Sequence, residues 1–147
     1  MARTVVRSAR VEAPPAAVFD LLTDPHGHVE MDGSGSVRGV ARAPERLGPG
    51  DVFWMSMRLG LPYVVWNRVV EHEQDRRVAW THLPGHRWRY ELEPVDGGAA
   101  THVTATYDYG AAGVVAPVLE RLRFPRFAED GLEGTLEAIA RLAPQRA

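Results

Sequence analysis

The chain has 147 residues, a formal net charge of −2, 45% hydrophobic and 24% charged residues, the profile of one globular domain, residues 1–147, that can bury a core without disulfide or metal. It contains no cysteine, which excludes disulfide scaffolds, thiolate zinc sites, iron–sulfur clusters and cysteine nucleophiles. All 17 basic residues are arginine, which excludes Schiff-base chemistry and a phosphate-loop lysine, and the slight negative charge argues against a nucleic-acid partner. No run approaches the roughly 18 apolar residues of a membrane span, and the first 15 residues lack the apolar core of a signal peptide. The expected setting is therefore the cytoplasm, without membrane insertion.

Residues 3–12 are β-rich and open the chain. Pro14 and Pro15 then start a helix to about Thr23, with Val18, Leu21 and Leu22 on one face. Pro25 stops it, and residues 26–31 suit another short helical turn. Residues 36–42 form a weak strand. Residues 51–59 alternate, with Phe53, Met55, Met57 and Leu59 on one side. Residues 63–73 alternate as well: Val64, Trp66, Arg68, Val70 and His72 on one face, Tyr63, Val65, Asn67, Val69 and Glu71 on the other. Residues 77–83, 86–93 and 100–109 complete a meander, the last two joined through a hairpin signal at Asp96-Gly97-Gly98.

The period then changes to helical, with Leu132, Leu136, Ile139 and Ala143 spaced 4, 3 and 4. Pro125 is expected to break what begins near Pro117, leaving a short leading helix and a main helix from about Arg126 to Leu142. Gly131 and Gly134 weaken that helix by about 1 kcal/mol each relative to Ala, so at least one is expected to sit at a close approach. The predicted fold is α+β: a curved antiparallel sheet around one long C-terminal helix, with an apolar cavity between them.

Several side chains qualify for that cavity. Phe53, Met55 and Met57 make a soft apolar wall, equally the wall of an ordinary core. Trp66, Trp80, Trp88, Tyr90 and Tyr107 offer stacking surface, with packing the competing role for Trp80 and Trp88. Leu132 and Leu136 face the sheet from the helix. Arg68, beside Trp66 and Val70, is the candidate catalytic residue, an inward guanidinium in an apolar space; the alternative is an outward face or a structural ion pair. His26, His28, Glu30 and Asp32 cluster before a glycine-rich turn. They fit a solvated loop, an acid/base pair at the cavity mouth, or, against the known ligand patterns, a metal. His82 and His86 flank Leu83-Pro84-Gly85 and read as a turn. No metal site or cofactor motif is expected.

The run from Val11 through Ala13-Pro14-Pro15 and Val18-Phe19-Asp20-Leu21-Leu22 to Pro25 resembles the opening of START-like helix-grip proteins, the superfamily of the birch pollen allergen. Val69-Val70-Glu71 with Arg77-Val78-Ala79-Trp80, and Trp88 to Gly98 followed by Thr101-His102-Val103-Thr104, resemble its central strands and last hairpin. The resemblance is nearest to the polyketide cyclase/dehydrase branch. It implies a helix-grip fold whose cavity binds a small hydrophobic molecule, polyketide-like or lipid-like. Cyclase, aromatase or dehydratase chemistry without a cofactor is the enzymatic form of that reading, and a non-catalytic carrier or sensor is the alternative. In aromatase/cyclase members an arginine on a central strand positions the substrate, and Arg68 falls at the matching point. A monomer or a homodimer fits equally.

Overall fold

A computed structural model describes residues 3–147. The strands are β1 (Thr4–Val11), β2 (Val37–Arg42), β3 (Val52–Leu59), β4 (Leu61–Glu73), β5 (Arg77–Thr81), β6 (Arg87–Val95) and β7 (Ala100–Asp108). Two short helices, α1 (Pro15–Thr23) and α2 (Pro25–Met31), separate β1 from β2, and α3 (Ala116–Arg121) and α4 (Phe124–Leu142) follow β7. The strands form one antiparallel sheet in the order β1-β7-β6-β5-β4-β3-β2.

Local chemistry sets the helix boundaries. Pro15 occupies the first turn of α1, where a missing N–H costs nothing. Asp24 ends α1 and caps α2 by accepting from the His26 amide at 3.0 Å. The long helix begins two residues earlier than expected. Pro125 lies in its first turn, where proline is tolerated, and the short leading helix α3 ends before it as expected. The break from α3 is made by Arg123, whose φ of 59° turns the chain into the left-handed region.

The core lies between the concave face of the sheet and the helices. Val18, Leu21 and Leu22 of α1 and Leu132, Leu136 and Ile139 of α4 are buried against Phe53, Val69, Val78, Leu92 and Val103 from the strands. Each such side chain contributes about 1.5–3 kcal/mol through removal from water. On the outer face Glu71 accepts from Arg87 and Arg89, and Arg89 also reaches Asp108, which ties β4, β6 and β7 together. Hydrogen bonds from Arg89 hold the Glu71 carboxyl below its ordinary range.

One irregularity decides which residues face inward. Val52 pairs with Arg68, Trp54 with Trp66, and Phe53 with Asn67, so side chains opposite one another share a face. Phe53 is inward, and Tyr63, Val65, Asn67 and Val69 therefore are as well. Pairing with β5 then slips between Val69 and Glu71. This bulge changes the alternation: beyond it His72 packs its ring edge-on against Phe19, and Glu71 joins the outer arginines.

Candidate functional site

Between the concave sheet and α4 lies a partly open pocket of about 160 Å³. Its apolar wall is Phe53, Met55 and Met57 from β3, Val65 from β4, and Trp88 from β6. From the other side Phe124, Phe127, Ala128 and Leu132 of α4 close over it. Alternating strands and the helical i, i+4 spacing deliver these residues to one space.

Of the candidates named from the sequence, Phe53, Met55, Met57, Trp88, Tyr90 and Leu132 line this pocket. Four do not. Arg68 is exposed on the convex face opposite Val52, away from the pocket. Trp66 shares that outer face, paired with Trp54. The expectation of an inward Arg68 and Trp66 is therefore corrected: both faces of β4 are apolar, and register with Phe53 and Met55 selects the other one. Tyr107 and Leu136 are buried but lie behind the wall.

The acidic and histidine cluster is divided by α2. His26 and Glu30 face solvent, whereas His28 is 6% exposed and lines the pocket with Asp32. His28 Nε2 lies 2.7 Å from the Leu22 carbonyl oxygen, which can only accept, so Nε2 carries the proton and Nδ1 the lone pair. The ring lies 4.4 Å from Trp80 and edge-on to Phe53. Burial lowers its pKa to about 4, so it is neutral at pH 7. Asp32 accepts from the Ser34 and Val37 amides and from the Ser34 hydroxyl, at 3.1, 2.9 and 2.8 Å.

At the other end of the pocket, hydrogen bonds assign every proton. The Trp88 indole N–H can only donate, and it reaches His82 Nε2 at 3.4 Å. His82 Nδ1 then donates to the Leu83 carbonyl oxygen at 3.1 Å. His86 Nε2, 3.2 Å from His82 Nε2, must be the donor of that pair. Its Nδ1 accepts from the Tyr107 hydroxyl at 3.1 Å. Burial lowers both histidines, His86 to about 3 with His82 adding to the effect. The cluster is a neutral, fully satisfied end wall.

Three inward polar residues were not singled out from the sequence. Tyr63 and Asn67 sit on the inner face of β4, and Thr135 on α4. Thr135 Oγ1 accepts from the Gly33 amide at 2.9 Å and sits beside the Tyr90 hydroxyl. Burial raises Tyr90 above its ordinary pKa, with the Asp32 charge adding to the shift. The one sequence signal for Asn67 was a polar residue inside an otherwise apolar stripe, Tyr63-Val65-Asn67-Val69.

A sheet wrapped on one long helix, with a pocket under that helix, defines a helix-grip protein. The chain belongs to the family described as polyketide cyclase / dehydrase and lipid transport, whose model matches residues 2–144. An uncharacterized protein of Mycobacterium tuberculosis, Rv0088, is 40% identical over 144 residues, 97% of this chain and 64% of its own length. The chain thus spans somewhat less than two thirds of that relative. The Zhui aromatase/cyclase of Streptomyces sp. R1128 has the same fold with a TM-score of 0.73 at 20% identity, covering 99% of this chain and 96% of its own. Protein Ms6760 of Mycobacterium smegmatis matches with a TM-score of 0.71 at 18% identity, over 98% of this chain and 92% of its own. No helix among the described residues is long and apolar enough to cross a membrane.

Proposed function

We propose that the protein binds one small hydrophobic molecule, polyketide-like or lipid-like, in the pocket beneath α4, and does so in the cytoplasm. The observation that carries the reading is the wall itself: aromatic rings and methionines from four strands meet the apolar stripe of α4 around a partly open space. Rings supply large rigid contact area, and methionines adapt to irregular shapes. Carriage without reaction is favoured by the outward Arg68, which takes an arginine out of the pocket wall. Cyclisation or dehydration is the second reading, supported by His28: a lone pair at Nδ1 and a fixed tautomer suit a base positioned on a folded carbonyl chain.

Native mass spectrometry of freshly purified protein tests binding. The expected result is an apolar mass that leaves on denaturation, or stoichiometric uptake of the neutral dye Nile red by ligand-free protein. Protein that carries nothing and takes up no dye contradicts the reading. Turnover is tested by following aromatic absorbance from a synthetic poly-β-ketone, with loss in His28→Phe the expected outcome.

A further inference from the structure

The pocket wall contains a polar group that the fold does not use. Asn67 is 5% exposed, lies opposite Phe53 on the inner face, and lines the pocket. Its amide has no hydrogen-bond partner among the described residues. Yet no fully buried side-chain nitrogen or oxygen is left without one, so the Asn67 amide is open to the pocket space. An amide facing an apolar pocket gives up part of its hydration without gaining a hydrogen bond inside the fold, and a leucine would fit the same stripe. The arrangement makes sense when a bound molecule completes it: Nδ2 donates to a carbonyl oxygen, and Oδ1 accepts from a hydroxyl or enol.

The charges around this space point the same way. Neither of the pocket's walls carries an arginine, and the chain has no lysine. The one carboxylate, Asp32, is held by its own loop. Burial raises the pKa of both Tyr63 and Tyr90, and the Asp32 charge adds to it. His28 and His82 are neutral at pH 7, and the His82 lone pair is occupied by Trp88 and His86. A carboxylate or phosphate placed here would lose its water and meet no cation.

We infer that Asn67 determines specificity: the pocket takes an uncharged apolar molecule with a carbonyl, hydroxyl or enol group, oriented by the Asn67 amide, and rejects carboxylates and phosphates of the same shape. The inference rests on the pocket-binding reading above and divides it, favouring ketonic or enolic ligands over fatty acids and phospholipids.

One ligand series tests it. Naphthalene, 2-acetonaphthone, 2-naphthol and 2-naphthoate share a skeleton, and their binding to ligand-free protein at pH 7.5 is read by displacement of Nile red. The ketone and the naphthol should bind about tenfold or more tighter than the carboxylate. In Asn67→Leu the ketone should lose its advantage over naphthalene, read as the ratio of the two affinities in the same protein. A carboxylate that binds as well as the ketone, or a ketone advantage that survives Asn67→Leu, overturns the inference and leaves apolar binding standing. Failure of all four compounds, and of the dye, overturns the pocket reading and the inference with it.

Discussion

At Asn67 and His28 stability and function pull apart. Asn67→Leu replaces an amide that makes no hydrogen bond within the fold by a hydrocarbon of similar size, so the variant should be more stable by up to about 1 kcal/mol. Thermal unfolding checks this, and a lower midpoint would mean that the amide has a structural partner after all. His28 gives a pH signature. Its pKa falls from 6.5 unfolded to about 4 folded, so between those values the unfolded chain binds more protons. Stability is then fully present above pH 6.5 and lost as pH falls toward 4, by about 3 kcal/mol for this group. His86 adds a similar loss that extends to about pH 3. His28→Phe keeps the ring against Trp80 and should flatten the acid limb. Denaturant midpoints at pH 7, 5.5 and 4.5 would reveal it, and parallel limbs for both proteins would contradict the assignment.

At the scale of elements, α4 and the loop after α2 meet through glycines. A Cβ on Gly33 would stand 2.4 Å from both the Gly131 carbonyl oxygen and the Thr135 nitrogen, and one on Gly134 would stand 3.0 Å from the Gly33 Cα. A Cβ on Gly131 meets only the Ser34 Cβ, at 4.0 Å. The two helix glycines, alike in the sequence, therefore differ. Gly131→Ala should stabilise by up to about 1 kcal/mol through helix propensity. Gly134→Ala should gain nothing, and Gly33→Ala should cost about 1–3 kcal/mol or more because backbone must move. Thermal unfolding of the three variants gives the ranking. The strand order of events and the helical stripe of α4 were legible in the sequence because alternation and 3.6-residue spacing are strong signals. The facing of β4 was not. Val64, Trp66 and Val70 are as apolar as Tyr63, Val65 and Val69, and only the pairing of Phe53 with Asn67 decides between them. The bulge after Val69 has no local marker either. The short leading helix and the main helix after it were legible as well, the main helix starting two residues before Arg126 because proline suits a helix's first turn.

At the scale of the whole molecule, the sheet, α2 and α4 together enclose a space that none of them defines alone. That is why most of the pocket wall on β3 and β6 could be named from periodicity, while on α4 only Leu132 was, and Phe124, Phe127, Thr135 and the histidine end wall required the fold. The outer face carries the opposite expectation. Arg68→Ala should leave both ligand affinity and the Nile red response unchanged within about twofold, since its side chain lies across the sheet from the pocket. An affinity loss of tenfold or more would restore Arg68 to the site. The central claim, that the space under α4 is where a small apolar molecule binds, is tested most directly by filling it from Gly131, the glycine in its lining. Gly131 lines the pocket, and a Cβ added there meets no backbone, so Gly131→Phe is designed to put a ring into the space. The measurement is Nile red titration of ligand-free wild type and Gly131→Phe, with matched unfolding midpoints to show that both are folded. The account predicts saturable, one-to-one binding to the wild type and its loss in the variant. Equal binding to both would place the ligand elsewhere and contradict it.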